Sequence, residues 1–320
     1  MLAILEERDF PVGELRLFAS ARSVGHSVAT RWGDVFVEDL EIADPSGLDI
    51  ALYSAGADRS KSHVPRFVEA GAVVVDNSSA FRLDAAVPLV VAGVNDAAVA
   101  EHSGVIANPN CTTMILMMAI GPLHARAKLQ RLVATSYQAV SGSGRAGVEI
   151  LSHELKVLSK DEDSLVRGGW SDPAGNLYSR PIGYNVLAHA GSFTERGYTD
   201  EEWKLVNETR KILEVPDILV EPTCVRVPVM AGHSVAATMF FQDPLSKDQA
   251  LEALSATSGI QLWDDVRVPT PLDSAGIDDV LVGRVRDTLG EPGGINLWVV
   301  GDNLRKGAAL NAVQIAELFL

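Results

Sequence analysis

The residues best placed to do chemistry are Asn108-Pro109-Asn110-Cys111-Thr112-Thr113. The apolar run Gly104 to Ala107 before them reads as a short buried strand, and Met114 to Ile120 after them as a buried helix. Cys111 therefore falls at a strand-to-helix corner. There the unpaired N–H groups and positive end of the helix favour a thiolate over a thiol, and nearby backbone N–H groups offer a hold for an oxyanion. A free cysteine is also a common small core hydrophobe. Residue type alone thus leaves two readings, a nucleophile or a packed side chain.

Three further stretches carry candidate chemistry. Arg226 and His233 lie seven residues apart across a predicted turn at Met230-Ala231-Gly232, so a hairpin would bring them together; a satisfied structural histidine is the alternative. Gly142-Ser143-Gly144-Arg145-Ala146-Gly147 spells G-x-G-x-x-G between a strand and a helix. About twenty residues on, where a dinucleotide fold would need an acid at a strand end, Asp161, Glu162 and Asp163 lie in a charged loop, so the turn reads as flexible backbone beside Cys111 whose N–H groups can touch a cofactor. Ser20-Ala21-Arg22-Ser23 ends an early strand. Hydroxyls and an Arg suit a 2′-phosphate, whereas an acid would suit an unphosphorylated ribose, so these residues favour NADP; they also fit a solvated loop.

The elements that must position these residues alternate. A helix over Leu2 to Arg8, a strand over Leu15 to Ala19, strands over Asp49 to Gly56 and Ala72 to Asn77 and a helical stretch from Val64 to Glu69 imply a parallel sheet covered on both faces. Such sheets bind ligands at the carboxyl ends of their strands. After Cys111, strands are predicted over Arg131 to Gln138, Asp217 to Val220, Thr223 to Val229, His233 to Phe241 and Leu297 to Val300, with a closing amphipathic helix to Leu320. Glu201-Glu202-Trp203-Lys204 opens another helix with Thr199 or Asp200 as its N-cap, and an acid and Lys204 share one face there, as a solvated pair or as ligands.

Composition limits the function. A chain of 320 residues with 47% hydrophobic residues can bury two domain cores. Twenty-seven Lys and Arg against 42 Asp and Glu, a net charge of -15, repel nucleic acid and anionic membranes, so an anionic substrate needs local cations. Two cysteines, no signal pattern and no long apolar span point to a reduced, cytoplasmic protein.

Taken together, Asp76-Asn77-Ser78-Ser79-Ala80-Phe81-Arg82, the Cys111 motif, Tyr137-Gln138 through Gly144, Glu201 to Lys204, Cys224 through His233-Ser234, and Asp302-Asn303 through Ala309 resemble aspartate-semialdehyde dehydrogenases over essentially the whole chain. The resemblance implies an α/β enzyme: a Rossmann-like doubly wound parallel sheet (residues 1–112, completed by helix 303–320) and an α+β catalytic and dimerisation domain (113–302) that forms a homodimer. The implied reaction interconverts aspartyl 4-phosphate and aspartate 4-semialdehyde with NADP(H), in lysine, threonine and methionine biosynthesis. Cys111 is similar to the acyl-enzyme nucleophile and His233 to its acid/base partner, with Gln138, Arg226 and Glu201 as substrate residues. Arg82 and Lys204 match the phosphate-site cations, Arg22 and Ser23 the 2′-phosphate site, and Ser141, Gly142 and Asn303 contacts nearer the nicotinamide.

Two departures from the family pattern stand out. Members begin with a strand and a Gly-rich pyrophosphate turn, whereas this sequence opens in the following helix, so two neighbouring strand edges are expected to be exposed and cofactor binding weakened. Ala92-Gly93 stands where the family usually has Pro-Glu. Two other readings stay open. A reductase for another acyl phosphate, such as N-acetyl-glutamyl phosphate, would not keep Gln138, Arg226 and Glu201 together. A non-catalytic truncated subunit would bind NADP poorly.

Overall fold

The computed structural model describes residues 1–173 and 177–320. Internal contacts divide the chain into two units, one formed by Met1–Val90, Asp96–Asn108 and Ala312–Leu320, the other by Val91–Asn95 and Pro109–Asn311.

In the first unit the apolar runs become short strands: β1 (Leu17–Ala19), β2 (Ser27–Thr30), β3 (Gly33–Asp39), β4 (Ile50–Tyr53), β5 (Val73–Asp76) and β6 (Val105–Ala107), with helices α1 (Leu2–Glu7) and α2 (Ala57–Glu69). The strands pair in two groups, β1-β3-β2 and β4-β5-β6, parallel throughout except for the β2–β3 hairpin. The parallel pairs follow from the near-continuous apolar runs, which need cover on both faces. The hairpin had no counterpart in the sequence reading, because its side chains are mostly half-exposed and Phe36 points to solvent at 65% exposure. Phe67 of α2 anchors the core, meeting Phe18 and Tyr53 edge to face. Among the described strands β1 and β4 each pair on one side only, and residues of both line a single cavity of about 900 Å³ that Leu2, Leu5 and Phe319 also border.

The second unit is built on a six-stranded mixed sheet of order β10-β11-β12-β9-β7-β8. Its elements are α3 (Cys111–Ala127), β7 (Leu129–Gln138), α4 (Gly144–Leu158), α5 (Glu162–Arg167), α6 (Asp200–Ile212), β8 (Leu219–Arg226), β9 (His233–Phe241), α7 (Lys247–Ser255), β10 (Ile260–Leu262), α8 (Pro271–Ser274), β11 (Val280–Asp287), β12 (Ile295–Gly301) and α9 (Leu310–Glu317), the last running on into the first unit. Met114 to Ile120 of α3 are all essentially inaccessible, as expected of a helix that is apolar all round. The helix passes Pro122 and stops at Lys128, whose φ of 58° is left-handed. The two runs predicted at Asp217 and Thr223 form one strand, β8, since Glu221 and Pro222 interrupt the apolar pattern without breaking the pairing with β7. Helix α4 begins at Gly144, inside the G-x-G-x-x-G stretch, and Gly147 has no room for a side chain against the Val140 carbonyl. Among the described residues no helix is long and apolar enough to cross a membrane.

Candidate active site

Strand direction assembles the site. β7 and β8 run parallel with Gln138 opposite Arg226, while β9 runs antiparallel to β7 and starts at His233, so both strand ends and the β9 start lie at one edge of the sheet. β12, antiparallel to β9, ends there too, with Gly301 opposite His233 and Asn303 just beyond. Arg226 and His233 are therefore not hairpin neighbours as the sequence suggested. β7 lies between their strands, and it is the sheet order that brings them to one end.

Cys111 is the first residue of α3 and is partly exposed. Asn110 caps the helix, its Oδ1 accepting the Thr112 N–H at 2.9 Å. The Asn110 N–H donates to Glu208 Oε2 at 2.6 Å and its Nδ2 to Glu201 Oε2 at 3.1 Å, both from α6. Gly307 leaves room on the other side, since a Cβ there would stand 3.1 Å from Cys111 Cβ. The second cysteine, Cys224, is packed in β8, where burial above all pushes its thiol up to about 12.

A cavity of about 240 Å³ opens at this point, bordered by Cys111, Gln138, Gly142, Glu201 and Arg226 among others. That volume suits a molecule of a few carbons. Arg226 is buried and gives Nη1 to the Ala139 carbonyl at 2.8 Å, but its buried Nε has no partner. His233 is inaccessible. Its Nδ1 accepts the Ala139 N–H at 3.1 Å, so the neutral ring carries its proton on Nε2, which also lacks a partner. Burial first, and then the Arg226 charge, lower its pKa to about 3. Buried donors without acceptors are rare in folded proteins and mark a place built for another molecule.

Gly142 is required here for space. A Cβ on it would stand 2.9 Å from Arg226 Nη1 and 3.3 Å from His233 Nε2. Gly142→Ala should therefore lower kcat/KM by roughly tenfold or more through displacement of both groups, with little change in Tm because the residue is exposed; steady-state rates against thermal melts check this.

The other predicted residues sort by unit. Ser141 and Asn303 meet, with Asn303 Nδ2 donating to Ser141 Oγ at 2.9 Å and Asn303 Oδ1 accepting the Gly232 N–H. Lys204 Nζ is held by Asp200 at 2.6 Å and Glu201 at 2.7 Å; burial pulls its pKa down, but Glu201 and Asp200 outweigh that and leave it raised. Of the two N-caps that the sequence offers, Thr199 is the one that caps α6, in a capping box with Glu202. In the first unit Arg22 lies exposed with Ser23 on a tight turn after β1, and Arg82 is buried against the Asn108 and Asn77 carbonyls. The sequence reading missed Glu208, although its spacing from Glu201 and Lys204 puts all three on one helix face.

Comparison with known proteins places the chain in a family. Residues 1–102 match the model described as "Semialdehyde dehydrogenase, NAD binding domain", and residues 120–306 match "Semialdehyde dehydrogenase, dimerisation domain". The chain is 53% identical to the aspartate-semialdehyde dehydrogenase of Mycolicibacterium smegmatis, over 99% of this chain and 94% of the relative. It is 51% identical to that of Streptomyces akiyoshiensis, over 99% and 94%. The solved structure of aspartate semialdehyde dehydrogenase II from Vibrio cholerae, complexed with ASA, superposes with a TM-score of 0.92 at 44% identity, covering 99% of this chain and 93% of that one. With matches of this extent, the chain belongs to the aspartate-semialdehyde dehydrogenase family of enzymes.

Proposed function

We propose that this chain, as a cytoplasmic homodimer, reduces L-aspartyl 4-phosphate to L-aspartate 4-semialdehyde with NADPH, through a thioester on Cys111, and so serves lysine, threonine and methionine biosynthesis. The observation that carries the reading is the group at one end of the sheet: a cysteine at a helix N-terminus and a buried Arg226 bordering one small cavity, with His233 buried behind Gly142, and with Arg226 and His233 each keeping an unpartnered N–H.

Each residue has a task that its surroundings support. Arg226 pairs its planar guanidinium with the substrate carboxylate, a fork that Lys could not reproduce. Glu201, already an acceptor for Asn110 and Lys204, has a carboxylate that suits the substrate ammonium. Gln138, buried at the end of β7, orients the acyl group. Cys111 thiolate attacks the acyl carbon, and the S–C bond forms as the C–O bond to the phosphate breaks; Arg82 and Lys204 are the cations assigned to the departing phosphate. The oxyanion of that step is met by His233 Nε2–H, and the same donor serves when the thiolate departs from the aldehyde carbon. Because its Nδ1 accepts the Ala139 N–H, the neutral His233 ring enters the cycle as a hydrogen-bond donor through Nε2–H.

The cofactor fits the residues present. The exposed guanidinium of Arg22 beside Ser23 suits a 2′-phosphate, and Ser141, Gly142 and Asn303 suit the nicotinamide end. When bound, NADP(H) supplies hydride transfer at the acyl carbon. The homodimer reading is supported by the match of residues 120–306 to a dimerisation domain.

The test runs the reaction backwards. Aspartate 4-semialdehyde, inorganic phosphate and NADP should yield NADPH, followed at 340 nm (about the usual nicotinamide absorbance), with the rate abolished when phosphate is omitted and much reduced with NAD. Turnover of N-acetylglutamate semialdehyde in preference to the aspartyl substrate would overturn the substrate assignment.

A further inference from the structure

Helix α6 presents three residues on one face, Glu201, Lys204 and Glu208, at the i, i+3 and i+7 positions. The first two belong to the site already described. Glu208 does not border the cavity, yet only about 1% of it is accessible, and its Oε2 accepts the Asn110 backbone N–H at 2.6 Å. Asn110 is the N-cap of α3 and immediately precedes Cys111. Three of its hydrogen bonds reach different partners: the backbone N–H to Glu208, Nδ2 to Glu201, and Oδ1 from the Thr112 N–H.

α6 is itself immobilised. The Thr199 and Glu202 side chains close a capping box at its start, and Glu202 Oε1 accepts the Cys224 N–H of β8 at 2.9 Å. The Glu208 carboxylate is therefore held at a set distance from the strand-to-helix corner. A short charge-assisted bond to a backbone N–H fixes direction as well as distance. If the corner drifts, the Cys111 sulfur drifts with it, and a shift of about 1 Å in a reacting atom costs on the order of 10²-fold in rate.

We infer that Glu208 is a positioning residue for Cys111: by anchoring the Asn110 amide it sets the first turn of α3 and the direction of the thiol. The inference rests on the reading of Cys111 as nucleophile. Glu208 touches neither substrate nor cofactor, so its effect belongs in kcat and not in KM.

Two conservative variants test it. Glu208→Gln keeps an oxygen acceptor at the same reach, and Glu208→Asp keeps the charge but withdraws it by one methylene. Active chains are counted by iodoacetamide titration, which reads Cys111 alone because Cys224 is buried and its thiol stays protonated. Per titrated thiol, Glu208→Asp should lose roughly 30-fold in kcat with KM unchanged within about twofold, while Glu208→Gln stays within about threefold. Amide exchange at residues 110–112, read by mass spectrometry, should be at least about tenfold faster in the Asp variant and unaltered in the Gln variant. The inference is overturned if Glu208→Asp matches the unsubstituted chain in both readouts, or if Glu208→Gln falls as far as Asp. A parallel Cys111→Ala variant separates the two levels: persistent turnover there overturns the nucleophile reading, whereas an inactive Cys111→Ala beside an unaffected Glu208→Asp overturns only the role of Glu208.

Discussion

Replacing Cys111 with alanine should leave a folded chain whose turnover is lower by a factor of about 10⁴ or more, the loss typical when a covalent nucleophile is removed. Folding should be spared for two local reasons. Cys111 is only partly buried, so little apolar contact is lost, and alanine is a good residue for the first helical position. The Asn110 cap and its bonds to Glu208, Glu201 and Thr112 do not involve the sulfur. Tm and far-UV circular dichroism should therefore stay close to those of the unsubstituted chain. Residual activity within tenfold would remove Cys111 from the mechanism, and a collapse of Tm would mean that the sulfur serves packing instead.

His233→Gln should lower kcat by about 10²–10⁴-fold, since in the proposed mechanism the variant loses the imidazole whose Nε2–H would meet the developing oxyanion. It should also change how stability depends on pH, and the sign follows from burial. The folded chain keeps His233 neutral, with a pKa lowered to about 3 by burial and by Arg226, against about 6.5 for an unfolded histidine. Between those values the unfolded chain binds a proton that the folded chain does not. The stabilisation from keeping the ring neutral is thus complete above about pH 6.5 and is lost progressively as pH falls towards 3, by at most about 1.4 kcal/mol per pH unit. His233→Gln removes that group, so denaturant titrations at a series of pH values should show a shallower acid loss in the variant. Equal slopes would mean that the ring titrates in the fold as it does in the unfolded chain, and that burial does not hold His233 neutral between about pH 3 and 6.5.

Much of the site could be read from residue order because its local rules are strong. Cys111 at a strand-to-helix corner follows from two continuous apolar runs separated by Asn-Pro-Asn, and β6 and α3 form where those runs lie. The α6 start follows from Thr199 and Glu202, three residues apart and locked in a capping box. Cys224 lies on the strand predicted from Thr223 and is buried in β8. The β2–β3 hairpin was harder to see, since neither of its faces is fully buried and the alternation that reveals a strand is weak there.

By itself the sequence determined which elements bear the candidate residues: a cysteine on a helix start, an arginine and a histidine on strands, and glycine-rich turns near them. Periodicity and capping are short-range, so a linear reading reaches them. Only the tertiary structure decided which residues meet. The order β9-β7-β8 places Arg226 and His233 on opposite sides of β7 and still at one sheet end, an outcome of pairing between strands far apart in sequence. The Ala139 N–H that sets the His233 tautomer, the space that Gly142 leaves between Arg226 and His233, and the Glu208 carboxylate behind Asn110 belong to the same category. Each depends on the distance between atoms that the chain brings together only when β7, β8, β9, α3 and α6 have packed, and no spacing along the sequence encodes such a distance.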